Sequence, residues 1–168
     1  MPIADFSLRG RVALVTGASR GIGEAIARGF AEQGASLVIV SRKQESLEKV
    51  VSDLRQSGAQ VWPRACHTGR PDQIEALYQW LDAEVGRIDI LVNNAATNPY
   101  MGPVLDAPLE AYDKTFDLNV KGYFLMAQQA ARRMAAQGKG SIINIASIAG
   151  IAAMPFQGVY SMTKAAVI

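Results

Sequence analysis

Val12-Ala13-Leu14-Val15-Thr16-Gly17-Ala18-Ser19-Arg20-Gly21-Ile22-Gly23 is the stretch that decides the fold. An apolar run passes straight into a glycine-rich turn, and Ala27 and Phe30 then carry a helical pattern onward. The glycines are spaced G-x-x-x-G-x-G rather than G-x-G-x-x-G, because Glu24, Ala25 and Ile26 follow Gly23. Glycines let a backbone turn tightly and approach a pyrophosphate closely. A helix beginning at such a turn aims free N–H groups and the positive end of its dipole at the anion. A strand-to-helix turn that binds nothing can share this composition, so the phosphate reading rests on the strand before it and the helix after it.

Outward from this turn, Leu37 to Val40, Ile88 to Val92 and Ile142 to Ala146 are further short apolar runs. Each is too short for a helix and rich in β-branched residues, which predicts strands buried on both faces. Leu47, Val50, Val51 and Leu54 follow helical spacing, as do Ile74, Leu77, Tyr78 and Leu81. Pro71 suits the first turn of the second of these helices. A longer helix is expected from near Pro108 to Ala136, ending at Gly138, with Tyr112, Phe116, Tyr123, Ala127 and Ala130 on one face. Ala59 to Cys66 reads as a weaker strand, and Pro63 within it predicts an edge position. Alternating strands and helices imply βαβ units in an α/β, doubly wound parallel sheet. Ligands of such sheets bind beyond the carboxyl ends of the strands, where the strand order reverses.

The chain has 168 residues, 49% hydrophobic and 19% charged, which reads as one globular domain over 1–168 rather than a disordered segment. A net charge of +2 gives no reason to expect nucleic acid as a partner. The single cysteine, Cys66, excludes a disulfide framework. Cys66 and His67 are neighbours in the chain and point to opposite faces of a strand, which argues against a shared metal. No signal-peptide pattern and no membrane-length apolar run is visible, so a soluble cytoplasmic protein without a membrane partner is expected.

Three further groups bear on chemistry. The second strand ends in Ser41-Arg42-Lys43, with no acid before Glu45. A carboxylate there would bind ribose hydroxyls, whereas Arg42 suits a ribose phosphate, with Arg20 approaching from the glycine turn. Both arginines can equally be solvated surface residues. Tyr160 and Lys164 are four apart, so a helix through them puts both on one face. An ammonium nearby favours the phenolate of a tyrosine whose free pKa is about 10. Ser147 follows a strand directly, where a hydroxyl can donate to a substrate oxygen. The small, apolar stretch Ile148 to Phe156 fits cleft lining and core packing equally well.

Taken together, TGASRGIG at Thr16 to Gly23, LVNNAA at Leu91 to Ala96, Asn119, Ser147 and the Tyr160-to-Lys164 group resemble the short-chain dehydrogenase/reductase family. The resemblance covers nearly the whole chain, with the motifs in the family's order. It implies a Rossmann-type sheet and hydride transfer between NADP(H), in preference to NAD, and a small-molecule carbonyl or secondary alcohol. The implied catalytic group is Asn119, Ser147, Tyr160 and Lys164. Tyr160 would be the general acid/base, Lys164 would also bond the nicotinamide ribose, and Asn119 would help hold a water chain from Lys164 to solvent. The implied cofactor contacts come from Gly17, Ser19, Arg20, Gly21, Ile22 and Gly23 in the turn, and from Arg42. They continue through His67 and Thr68, then Asn94, Ala95 and Ala96, with Tyr160 and Lys164. Ala96 stands where the family usually has glycine, and His67 where it commonly has an aspartate near the adenine. Cys66-His67-Thr68-Gly69 resembles a subgroup of NADPH-dependent carbonyl and retinol reductases. Family members run on well past the position of Ile168. The expectation is therefore a fold lacking its C-terminal strands and helices, with Ile142 to Ala146 as an open edge. The complete protein would form homo-oligomers. Residues 1–168 alone would be inactive, and the alternative reading is a dinucleotide-binding fragment without turnover.

Overall fold

The run before the glycine turn forms strand β1 (Val12–Thr16), all of it buried. The computed structural model describes residues 6–168. After β1 come α1 (Gly21–Glu32), β2 (Ser36–Ser41), α2 (Glu48–Gln56) and β3 (Val61–Ala65). Then follow α3 (Pro71–Glu84), β4 (Ile90–Asn93), α4 (Leu109–Phe116), α5 (Tyr123–Ala136), β5 (Ser141–Asn144) and α6 (Gly158–Ala165). The strands form one sheet in the order β3-β2-β1-β4-β5, and every pairing is parallel. The order reverses between β1 and β4, which places a crevice at their carboxyl ends.

Both faces of the sheet are covered, as a parallel sheet requires. Val12 and Leu14 pack with Leu77, Tyr78 and Leu81 of α3 and with Met126 and Ala130 of α5. Ala13 and Val15, pointing the other way, pack with Ala27 of α1 and with Val50, Val51 and Leu54 of α2. The two helical patterns between the second and third runs are thus core faces. Pro71 opens α3, where a missing N–H leaves no bond unmade. Among the described residues, β3 pairs only with β2, so Pro63 sits on an edge strand as expected. No helix among these residues is long and apolar enough to cross a membrane.

Two expectations are corrected. The run at Ile142 does form a strand, but it is not buried on both faces: all four residues of β5 are exposed, with Ile142 at 37% and Ile143 at 39%. Among the described residues β5 pairs with β4 alone, so the open edge expected at Ile142 is present. β-branched composition specifies an extended backbone, whereas burial depends on neighbours. The long helix is not one α-helix either. A π-helical turn, Asp117–Gly122, separates α4 from α5. Such a turn shifts the register of the helix, so Tyr112 and Phe116 do not share the face of Tyr123 and Ala130. Tyr112 is exposed and stacks on Phe116 with centroids 4.3 Å apart, while Tyr123 and Ala130 are buried. A Cβ at Gly122 would run into the Thr68 carbonyl, so glycine lets this turn lie against the loop after β3.

Candidate active site

The glycine turn is shaped by sterics at three positions. Gly17 and Gly21 have φ of +66° and +59°, in the left-handed region that glycine favours. A Cβ at Gly23 would run into the Gly17 carbonyl and the Asn94 amide. The turn is clamped to β4 by Thr16, a residue the sequence reading did not single out. Its Oγ1 donates to the Val92 carbonyl (3.1 Å) and accepts the N–H groups of Asn94 (2.9 Å) and Ala95 (3.1 Å). The Asn94 amide donates back to the Thr16 carbonyl at 2.9 Å. Asn94 therefore holds the turn, while Ala95 and Ala96 continue along the crevice. A hydroxyl ending an otherwise apolar strand was the available signal for Thr16.

No side chain caps α1, so its first N–H groups are left for another acceptor. Ile22, 63% exposed, flanks this opening. The Ser41 hydroxyl donates to Ser19 Oγ at 3.4 Å, joining the end of β2 to the turn. Arg20 and Arg42, each next to one of these serines, are therefore brought to the same corner, and both are exposed. In the neighbouring strand, Cys66 N–H donates to the Ser41 carbonyl at 2.8 Å, which sets His67 beside Arg42 at the carboxyl edge. His67 is half-buried and Thr68 buried. Burial, together with the cations Arg42, Arg70 and Lys114, holds the His67 imidazole below its ordinary pKa. Burial pushes the Cys66 thiol up to about 12, so it stays protonated at neutral pH.

Tyr160 and Lys164 lie one turn apart on α6, as their spacing predicts. Lys164 is buried, and its ammonium donates to the Ile145 carbonyl at 2.6 Å and to the Tyr123 hydroxyl at 3.5 Å. It lies 5.8 Å from the centre of the Tyr160 ring. Burial lowers the Lys164 pKa from its ordinary value. Burial also pushes Tyr123 up, reinforced by Tyr160, so this inner phenol stays protonated. Tyr160 instead lines an open cavity of about 420 Å³ with Ser147, Ala96, Thr97, Asn98 and Gln157. Ser147 Oγ accepts the Ala149 N–H at 3.2 Å and keeps its own proton for another acceptor. A larger hollow of about 650 Å³ lies at the far edge of the sheet, between α2 and β3, and includes none of these groups.

Asn119 sits in the π-helical turn and is completely buried. Its Oδ1 accepts the Thr97 N–H (2.8 Å), and its amide donates to the Thr97 carbonyl (2.9 Å) and to Thr163 Oγ1 (3.0 Å). Thr163 in turn donates to the Tyr160 carbonyl at 2.7 Å. Asn119 thus ties the loop after β4 to the helix carrying Tyr160 and Lys164. Thr97 and Thr163 were not identified from sequence, and Tyr123 was read only as a helix-face residue; their partners alone mark them. Between Ile148 and Phe156 only Ala149 is buried, while Ile148, Ile151 and Phe156 are 74%, 81% and 61% exposed.

The model of the short chain dehydrogenase family matches residues 11–168. The chain belongs to the short-chain dehydrogenase family. Human "Dehydrogenase/reductase SDR family member 4" is 40% identical over 161 residues, covering 96% of this chain and 58% of that protein. The chain therefore spans a little over half the length of that relative. A metagenomic short-chain oxidoreductase solved in complex with NADP superposes with a TM-score of 0.91 at 36% identity, covering 95% of this chain and 71% of the other. An NAD+-bound xylitol dehydrogenase also superposes with a TM-score of 0.91, at 31% identity over 95% of this chain and 61% of its own. Similar short-chain dehydrogenase structures thus hold either dinucleotide.

Proposed function

We propose that this short-chain dehydrogenase transfers hydride between NADP(H) and a small carbonyl or secondary alcohol, with Tyr160 as the general acid/base. One observation carries the reading. The Tyr160 side chain lines a cavity with Ser147 while the buried Lys164 ammonium lies behind its ring, all at the carboxyl edge of the sheet. The cofactor reading is supported by a cradle that a Cβ at Gly23 would fill and by the uncapped start of α1. Arg20 and Arg42 favour the ribose phosphate of NADP. In relation to bound nucleotide, the proposed contacts are Gly17, Ser19, Gly21 and Ile22 at the pyrophosphate, with Ala95 and Ala96 along the crevice.

When bound, the dinucleotide supplies or accepts the hydride. The protein manages the proton and the developing charge. In reduction, the Tyr160 hydroxyl gives its proton to the carbonyl oxygen, and in oxidation it takes the alcohol proton. The Lys164 ammonium favours the resulting phenolate through its charge. Ser147 donates a hydrogen bond to the same substrate oxygen as negative charge builds there. Asn119 and Thr163 hold α6 against the loop after β4, so Tyr160 keeps its place beside Ser147.

Tyr160→Phe removes the proton-transfer oxygen and little else. In the complete enzyme, turnover of NADPH with a ketone is expected to fall by about two to four orders of magnitude. NADPH affinity, read from nicotinamide fluorescence, is expected to stay within about twofold, because the ring remains. Near-normal turnover in this variant would move the proton transfer to another group.

A further inference from the structure

Two carboxamides share the cavity with the proposed proton-transfer group. Asn98 and Gln157 line it beside Ser147 and Tyr160, and both are half-buried. Neither side-chain amide makes a hydrogen bond among the described residues, and neither contains a sealed, unpaired polar atom. Each therefore presents a donor and an acceptor to whatever fills the cavity. Ile148, Ile151 and Phe156, the exposed apolar side chains of the loop before α6, are not among the groups lining it.

The backbone holds both amides in place. Thr97, next to Asn98, is fixed through its N–H and its carbonyl by Asn119, and Pro99 steers Asn98 toward extended backbone. Gln157 precedes α6 without capping it by its side chain. Its N–H donates to the Met154 carbonyl at 3.1 Å, and its carbonyl accepts the Ser161 N–H at 2.8 Å. Phe156, immediately before it, has φ of +61°, a left-handed conformation that costs a non-glycine residue energy. The Phe156 carbonyl accepts the Gly102 N–H at 3.1 Å, so the loop after β4 helps impose that conformation. Residues three apart at a helix lie about 5–6 Å apart at Cβ, so one small molecule can meet Gln157 and Tyr160 together.

Resting on the function proposed above, we infer that Asn98 and Gln157 select a neutral carbonyl substrate with a second oxygen, a hydroxyl or another carbonyl, on a carbon close to the reacting one. Tyr160 and Ser147 take the reacting oxygen, and the amides take the second. A hydroxyl can donate to an amide or accept from it, and a carbonyl accepts from the amide NH2 group. An alkyl group in the same place would displace water from the amides and bond neither. A carboxylate would lose hydration against neutral donors only, since no cation is among the lining groups.

The experiment compares kcat/KM with NADPH in the complete enzyme for three ketones. They are 1-hydroxypropan-2-one, butan-2-one, which has a methyl in place of the hydroxyl, and pyruvate, which carries a carboxylate. The hydroxyketone is expected to be preferred over each by about thirtyfold or more. A neighbouring hydroxyl also makes a ketone more electrophilic, so the deciding quantity is the change in preference when an amide is removed. Gln157→Met and Asn98→Leu keep the size of each side chain and remove its hydrogen bonds. Each is expected to cut the preference over butan-2-one by about tenfold, through a larger loss with the hydroxyketone. A merely structural role would lower both substrates alike. An unchanged preference in the variants overturns the inference, as does a wild-type preference for butan-2-one or pyruvate. Where one variant no longer binds NADPH, the other decides. Wild-type turnover of no ketone at all overturns the proposed function itself, and this inference with it.

Discussion

The proposed choice between cofactors turns on one side chain, Arg42. It follows the last residue of β2, and the Ser41–Ser19 contact brings it to the corner that Arg20 also occupies. A guanidinium there would bond a ribose phosphate with charge assistance, whereas a carboxylate would bond ribose hydroxyls and repel the phosphate. NADPH is expected to bind more tightly than NADH by about tenfold or more at low salt, with the margin shrinking as salt screens these exposed charges. Arg42→Asp is expected to erase or reverse the preference. Fluorescence titration of both cofactors measures it, and equal affinity in the unaltered protein would remove the role given to these arginines. Asn119 marks the other limit of residue-scale reading. Its identity was legible in the motif order, yet its protein partners, Thr97 and Thr163, are 22 and 44 residues away in the chain. Such contacts leave no local pattern in the sequence.

Among the elements, β5 and the π-helical turn depart most from local expectation. β5 presents Ile142 and Ile143 at an edge that no strand covers among the described residues. Unpaired N–H and C=O groups flanked by β-branched side chains form a template for another strand. Residues 1–168 expressed by themselves are therefore expected to self-associate and to show no ketone-dependent oxidation of NADPH. Ile143→Lys, which places a charge on the edge, is expected to shift the population toward monomer. Light scattering with a turnover assay tests both statements, and a monodisperse, active wild-type sample would contradict them. The π-helical turn lies between two stretches of ordinary helical composition. Its cause is tertiary, because it puts Asn119 within reach of Thr97 and Thr163 while Gly122 packs on Thr68.

At the scale of the molecule, the two ends of the sheet have different tasks. The carboxyl end carries the glycine turn and the cavity, while the opposite end is tied by Asp89. Its carboxylate accepts the Val12 N–H at 2.9 Å and bonds Arg87 at 2.6 Å, with Arg11 at 3.4 Å, and its side chain is 3% exposed. Burial pushes the Asp89 pKa up, but Arg87, the Val12 N–H and Arg11 together outweigh it and hold the group below the usual carboxylate range. A depressed folded-state pKa means stability that is fully present above the unfolded value of about 3.9 and is lost as pH falls through the folded value. Asp89→Asn is expected to lower stability at neutral pH by about 1–3 kcal/mol, much of it from the Val12 N–H, since the half-exposed arginines are screened. The difference from wild type should narrow in acid. Denaturant melts across pH test this, and a difference independent of pH would show that the charge of Asp89 does not stabilise the fold.

Local chemistry in the sequence determined the strand-turn-helix unit at Val12 to Phe30, the helical faces of α2 and α3, the edge position of β3 and the Tyr160–Lys164 pair. In each case the cause lies within a few residues: side-chain period, a missing Cβ, or a missing N–H. Only the tertiary structure decided the break in the long helix, the clamp at Thr16 and the partners of Asn119. A π-helical turn persists because distant groups bond the residue it presents. Thr16 meets Asn94 across adjacent strands, and Asn119 meets Thr163 from a distant helix. Side-chain identity sets what a group can donate or accept, and packing decides which of those capacities remains free.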